Sequence, residues 1–300
     1  MKYVCVGHAT YDIVLPLSEY PIENKRNRTT NKIECGGGPA ATAAYLLAKW
    51  GVNSTYIGTV GNDYYGKNII REFNNIGVNT EYIEKLNGYS TDVSYIIANE
   101  KNGSRTLITS KDHNIDKLSE EIDIEADYIL VDGEHFKTAE EIIMKNPNAI
   151  SVLDAGHVND KTNELGKIVN YIICSKDYAE EFTNKRIDVS DMNNLIAIYE
   201  ELKIYFKTNI IITLGEDGSF TKINDYIIIP SIKVNAVDST GAGDIFHGAF
   251  MYFLAKNYSL REAIKYASVA GALSTEKIGS RFAIPDVSEV LGSNDEIEYL

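Results

Sequence analysis

The chain has few residues of the kinds that staple a fold, carry metals or span a membrane. It holds three cysteines, one tryptophan and six prolines in 300 residues. No apolar run approaches the roughly 20 residues of a membrane span. Cys5, Cys35 and Cys174 are far apart and show no C-x-x-C spacing, which argues against a disulfide framework or a thiolate zinc site and leaves free thiols in or near the core. His8, His113, His135, His157 and His247 have no metal-ligand spacing either. Two of them, His113 and His135, fall in expected loops. Basic charge is also short, with 29 Lys and Arg against 43 Asp and Glu and a formal net charge of −14. Nucleic acid, which needs a concentrated basic surface, is therefore not the expected partner, whereas a small anionic substrate stays open. Met1 to Gly7 carries one Lys and no small-residue cleavage motif, so it reads as a first strand and not as a signal peptide. A cytoplasmic protein with no membrane partner is expected.

What is present suffices for a full core, since 44% of the residues are hydrophobic and 24% charged. Length alone would suggest about two domains, yet α/β chains of this size often form one domain with an appendage. From about residue 127 strands and helices alternate: strands at Tyr128 to Val131, Ile150 to Asp154, Tyr171 to Cys174 and Ile210 to Leu214, with helices at 138–145, 161–168, 177–182 and 190–206. Such alternation predicts a parallel sheet covered by helices on both faces, with ligands at the carboxyl ends of its strands. Lys2 to Gly7 adds a buried strand, followed by a loop that reaches Asp12. Residues 13–34 and 89–110 lack helical periodicity and read as extended segments, with an Asn102-Gly103 turn before Arg105 to Thr109. They predict a small separate sheet. Gly36-Gly37-Gly38-Pro39 opens a helix from Ala40 to Trp50, and Asp63 to Ile76 is a second helix ending at Gly77.

The most informative stretch runs from Asn235 to Phe250. A polar turn leads through Gly241-Ala242-Gly243 to Asp244, after which Phe246, Ala249, Phe250, Phe253 and Leu254 recur at steps that fit a helix packed on one face. Asp244 therefore sits on the first helical turn. Small residues leave the N–H groups from Gly241 to Asp244 uncovered, and the helix dipole adds partial positive charge, which makes an anion site. An Asp at that end can take a proton from a hydroxyl while the amides hold phosphoryl oxygens. A lone G-x-G-D would equally suit a capped helix after a plain turn.

The extended string Asp238-Ser239-Thr240-Gly241-Ala242-Gly243-Asp244, followed by Gly248-Ala249-Phe250-Met251, resembles the C-terminal signature of the ribokinase-like (PfkB) carbohydrate kinase family. Gly36 to Ala40 resembles its N-terminal signature. The resemblance implies a ribokinase-like three-layer α/β domain over residues 1–300, with a mostly parallel sheet and a discontinuous β lid from about 13–34 and 89–110. It implies a kinase that uses ATP and magnesium to phosphorylate a primary hydroxyl of a monosaccharide, and a homodimer through the lid. Asp244 becomes the catalytic base, with Gly241, Ala242 and Gly243 as the anion hole. Asp12, Gly37, Gly38, Thr42 and Arg105 fall on the sugar side, while Ser175, Thr213, Gly215, Gly218, Lys277 and Gly279 fall on the ATP side. Asp238 is the natural ligand for an activating monovalent cation such as K+.

Two departures from the family pattern stand out. Thr42 occupies a position where Asn is common. Ser175 and Tyr178 occupy positions where many relatives carry an Asn and a Glu that organise magnesium and phosphate; Asp177, Glu180 and Glu181 could supply a substitute oxygen or be solvated helix-start acids. The basic residues Lys25, Arg26, Arg28 and Lys32, with Arg105, suit either an anionic sugar substituent or a charged edge strand that resists aggregation. The glycine string through Thr42 and the Asp132-Gly133-Glu134-His135 string look most like the fructose- and sulfofructose-type branch, with ribose also expected as an acceptor. A nucleoside kinase and a catalytically weak sugar- or nucleotide-binding protein are the alternatives.

Overall fold

Strands buried on both faces need a helix layer on each side, and the apolar residues of this chain sort into two such layers. The computed structural model describes residues 1–29, 31–111 and 114–293. Its elements begin with β1 (Tyr3–Val6), β2 (Thr10–Leu17), β3 (Ile33–Gly37), α1 (Pro39–Lys49), β4 (Ser54–Gly61), α2 (Tyr64–Ile76) and β5 (Ile83–Leu86). Then come β6 (Val93–Asn99), β7 (Arg105–Ser110), β8 (Tyr128–Val131), α3 (Phe136–Lys145), β9 (Ile150–Ala155) and α4 (Asp160–Gly166). The next run is β10 (Tyr171–Ser175), α5 (Lys176–Thr183), α6 (Met192–Phe206), β11 (Asn209–Thr213), β12 (Ser219–Lys222) and β13 (Tyr226–Ile229). Three helices close the described chain: α7 (Ala242–Ala255), α8 (Leu260–Ser274) and α9 (Val287–Gly292).

The large sheet has the order β13-β12-β11-β10-β9-β8-β1-β4-β5. It is parallel from β11 to β5, and β12 and β13 are antiparallel to their neighbours. Period-two alternation sends Tyr3 and Cys5 of β1 into the core formed with α1, α7 and α8, and Val4 and Val6 into the core formed with α3 and α6. The expected helix–sheet–helix architecture is what the chain forms. None of the described helices is long and apolar enough to cross a membrane.

The small sheet has the order β3-β2-β6-β7. It differs from expectation in two ways. Asp12, expected in a loop, lies within β2, because Thr10 to Val14 pair with β3 and β2 also pairs with β6. Ile33–Gly37 is a lid strand, so the glycine string spans the end of one sheet and the start of a helix: Gly37 ends β3 and Gly38, at φ 92°, caps α1. The lid thus starts at Thr10 and includes residues to Gly37. The β5 edge strand, half exposed and only four residues long, carried no clear period and was not expected.

Candidate active site

A cleft of about 830 Å3 opens between the lid and the carboxyl ends of the parallel strands. Its floor is the α7 turn. Gly241 caps this helix at φ 76°, a left-handed conformation that suits glycine, and the first N–H groups of a helix have no intrahelical acceptor. A side chain added at Gly243 would meet open space, so the turn presents bare backbone to the cleft. Asp244 follows in the first turn and lines the same floor. A carboxylate at a helix N-terminus should be a weak base. Here burial, and then the Asp154 carboxylate, overcome the helix dipole and push Asp244 up to about 7.

Asp154 comes from the end of β9, and sequence reading assigned it no role. Burial pushes its carboxyl well up, with the Asp132 charge second. Its partner is His247, one helical turn beyond Asp244, with Nδ1 3.1 Å from Asp154 Oδ2. Burial pulls the imidazole down below its ordinary value. Carboxyl and ring are packed close enough to share a proton.

The wall opposite this floor is built by the inner face of the lid. Register places Asp12 opposite both Cys35 and Ser94, and Ser94 opposite Thr109. Asp12 Oδ1 accepts from Thr10 Oγ1 at 2.7 Å, and Ser94 Oγ lies 3.1 Å from Thr109 Oγ1. Burial raises the Asp12 pKa in spite of these hydrogen bonds. The carboxylate of Asp132 organises the opposite wall: Oδ2 accepts the amides of His8 at 2.8 Å and Ala40 at 3.1 Å, and Oδ1 accepts that of Glu134 at 3.0 Å. Side chain and glycine are matched there, because a Cβ at Gly7 would fall 2.1 Å from Asp132 Oδ1. His8 Nε2 pairs with Asp92 Oδ2 at 2.7 Å, and Lys111, one of the cations lining the cleft, is paired with Glu134.

Not every expected residue reaches the cleft. Gly38 lines it, while Gly37 packs under the Asp12 carboxylate. Thr42 is fully buried in α1, its Oγ1 without a partner, and it does not line the cleft. Arg105 does, but at the other end: its Nη1 donates to the Ser239 carbonyl, and its charge acts on Asp244. Lys25, Arg26 and Arg28 are exposed on the loop between β2 and β3, and Lys32 pairs with Glu34. The basic cluster is not assembled around the site. His135 Nδ1 donates to the Ile115 carbonyl at 2.8 Å; the ring is buried, does not line the cleft and is not a free ligand. His113 lies outside the described residues.

Ser175 and Thr213, expected on the ATP side, lie at the ends of β10 and β11 and line the cleft. Ser175 Oγ also caps α5 by accepting the Tyr178 amide at 3.0 Å. Tyr178 is fully buried, with its hydroxyl donating to Asn163, so no carboxylate stands at that position. Of the nearby acids, Asp177 lines the cleft, whereas Glu180 is tied to Arg186 and the Ile187 amide. Gly215 starts a short 3-10 turn that ends before Gly218, and neither lines the cleft. Lys277 is exposed and faces Glu289 at 3.9 Å. Gly279 is buried and donates its amide to Asp238 Oδ2 at 2.9 Å. Asp238 Oδ1 accepts from the Thr240 amide at 2.9 Å and its hydroxyl at 2.6 Å.

The sequence pattern gives no role to Thr10, Ser94, Thr109 or Asp154, and Glu134 enters it only within the Asp132 to His135 string. Period-two alternation in β6 puts Ser94 on one face with Ile96, and register adds Thr109 opposite it. Nothing in the sequence ties Asp154 to His247.

An open helix N-terminus for an anion, a near-neutral carboxyl beside it and a row of hydroxyls and carboxylates opposite define a phosphotransferase acting on an alcohol. Known proteins place the chain more narrowly. The model of the pfkB family of carbohydrate kinases matches residues 1–287, and the chain belongs to that family. It is similar to the ribokinase of Bacillus subtilis, at 26% identity over 298 residues covering 97% of this chain and 98% of that one. It is equally similar to a deoxyribokinase of Salmonella typhi, at 26% identity over 310 residues covering 96% and 97%. The structure of Arabidopsis thaliana ribokinase complexed with ribose and ATP shares the fold, with a TM-score of 0.79 at 21% identity over 97% of both chains.

Proposed function

We propose that this protein is an ATP-dependent sugar kinase for a neutral pentose or ketohexose, ribose and fructose being the first candidates. The observation that carries the reading is Asp244: a carboxyl pushed up to about 7 at a cleft floor, between an open helix N-terminus and a hydroxyl-binding wall. The acceptor's primary hydroxyl oxygen attacks the γ-phosphorus, and the bond from that phosphorus to the β,γ-bridging oxygen breaks as ADP leaves. The hydroxyl proton passes to Asp244. The Gly241 to Asp244 backbone holds the phosphoryl oxygens, and Arg105, facing Asp244 and Ser239, adds positive charge where negative charge gathers.

A neutral acceptor is supported by the sugar end, where Asp12, Ser94 and Thr109 offer hydroxyl-binding groups and Lys111 is already neutralised by Glu134. Bacillus subtilis ribokinase and the Salmonella deoxyribokinase act on pentoses by name. ATP as donor is supported by the ATP complexes of Arabidopsis ribokinase and of a Xylella fastidiosa fructokinase.

Among the described residues no group of three His, Cys, Asp or Glu side chains gathers as a dedicated metal cage. Magnesium held through substrate phosphates needs only one or two carboxylates, and Asp177, exposed at the cleft, fits that requirement. When bound, the ion would neutralise phosphate charge. Asp238 would be the carboxylate for a monovalent cation: buried to 1% exposure, it accepts three hydrogen bonds on its two oxygens and keeps a lone pair for an ion. The chain would act as one cytoplasmic kinase domain. Its outer lid face, with Tyr95 43% and Ile108 60% exposed, suits a homodimer that light scattering can test.

The deciding experiment is ADP release from ATP and magnesium with ribose, deoxyribose, fructose, an anionic ketose and a nucleoside. Neutral-sugar turnover lost by about 10²- to 10⁴-fold in Asp244→Asn is expected. Turnover of nucleoside alone would move the acceptor. ADP release with none of them would leave a binding protein.

A further inference from the structure

Three consecutive residues after α8 touch parts of the site that are remote in sequence. Gly279 donates its amide to Asp238 Oδ2 at 2.9 Å. Ser280 Oγ donates to Asp12 Oδ2 at 3.1 Å, with the Gly36 carbonyl at 3.4 Å. Arg281 Nη1 donates to Glu72 Oε2 at 2.9 Å, and the same oxygen accepts the Gly36 amide at 2.8 Å. Arg281 is buried, its guanidinium 4.4 Å from the centre of the Phe73 ring, so the loop is anchored at this end.

Ser280 has a second contact, on its other side. A Cβ built on Gly241 would lie 2.8 Å from Ser280 Cβ. The backbone that caps α7 therefore rests directly on a residue whose hydroxyl holds the sugar-side carboxylate. Asp12 is gripped from two directions, by Thr10 at one oxygen and Ser280 at the other, which leaves its remaining lone pairs for acceptor hydroxyls. Close-packed contacts of this kind pass on displacement instead of absorbing it.

We infer that Ser280 is a positioning residue that couples the acceptor and phosphate halves of the cleft. A sugar bound to Asp12 fixes Ser280, and Ser280 fixes Gly241 while Gly279 holds Asp238 and, through it, Thr240. The inference rests on the kinase reading above. Linkage makes the effect reciprocal: a nucleotide that orders the turn must tighten the sugar by the same factor.

The test is calorimetry of a non-hydrolysable ATP analogue with magnesium, alone and with saturating D-ribose or D-fructose, whichever the activity panel shows to be phosphorylated. In the unaltered protein the sugar should tighten the analogue by about tenfold. Ser280→Ala keeps the Cβ that meets Gly241 and removes the bond to Asp12. It should bind the analogue alone within about twofold of the unaltered protein, yet show coupling of less than about threefold. Ser280→Cys, with a weaker donor of similar size, should fall between. Equal coupling in Ser280→Ala and the unaltered protein overturns the inference, as does an active enzyme with no coupling. Ser280→Ala that loses analogue affinity and melting temperature together, with coupling intact, marks a purely structural residue and overturns it too. Failure of the unaltered protein to release ADP with any acceptor overturns the kinase reading instead.

Discussion

His247 is wedged between Asp154 and the turn that carries Asp244. Its Nδ1 lies 3.1 Å from Asp154 Oδ2 and 2.6 Å from the Gly243 carbonyl, and its Nε2 lies 3.2 Å from the Ile173 carbonyl. Both nitrogens thus face acceptors, and a neutral ring has one proton to give. Only the imidazolium satisfies both carbonyls, with Asp154 as counter-ion, while burial favours the neutral ring and the protonated carboxyl. The pair is finely balanced one helical turn from Asp244.

Replacing His247 by Leu should therefore do two things. It leaves the buried Asp154 carboxyl without its partner, which should cost about 3–4 kcal/mol in urea denaturation. It also frees the Gly243 carbonyl, and a small shift of the turn should lower kcat by about tenfold or more. His247→Gln, which keeps one donor, should recover about half of the stability. An unchanged kcat in His247→Leu would show that the ring does not set the turn.

The acidity of Asp244 makes a second expectation, with a definite sign. Folding lifts this carboxyl from its ordinary 3.8 to about 7. The folded state then holds the proton more tightly than the unfolded chain, a gain complete below about pH 4 and lost as pH climbs to about 7. Above that the charged base is a burden on the fold. Asp244→Asn should melt a few degrees higher than the unaltered protein at about pH 8, equivalent to about 1–2 kcal/mol once the partial exposure of Asp244 is allowed for. Near pH 4 the two should converge. The same ionisation should make kcat/KM of the active enzyme rise through about pH 7. A higher melting temperature for Asp244→Asn at pH 4 alone would contradict the sign.

Legibility in the sequence followed the range of the interactions. The α7 turn is local: glycines, an Asp and a 3.6-residue apolar period sit within sixteen residues, so a helix that starts at the glycines with Asp244 in its first turn is readable directly. The parallel sheet was equally plain, because strands and helices alternate at regular spacing. Asp12 was found as a residue but misplaced in a loop, since a strand that pairs with β3 and β6 in a separate sheet has no partner nearby in the chain. Asp154 and Ser280 could not be found at all. Their meaning comes from contacts to His247 and Asp12, 93 and 268 positions away by residue number (247 − 154 and 280 − 12), and neither residue type is unusual where it stands. Arg105 is expected on the sugar side because it lies in the lid; the hairpin also brings its guanidinium to the Ser239 carbonyl of the α7 turn, a contact no local pattern announces.

That position of Arg105 yields the last expectation. The lid hairpin rests on the turn at two points besides the Arg105 bond to the Ser239 carbonyl: the Gly103 carbonyl accepts the Ser239 amide at 3.3 Å, and a Cβ at Gly103 would come within 2.8 Å of the Ala236 carbonyl oxygen. Arg105 is then a latch and a charge at the reacting end. Its planar fork is not reproduced by Lys, so Arg105→Lys should lower kcat/KM by about tenfold and Arg105→Ala by about a hundredfold. The loss should be the same for neutral and anionic sugars, because the residue does not face the substituent. Arg26→Ala and Arg28→Ala, exposed on their loop, should leave both constants unchanged. A loss confined to anionic sugars in the Arg105 variants, measured as the ratio of the two kcat/KM values, would return Arg105 to the sugar side and undo the latch.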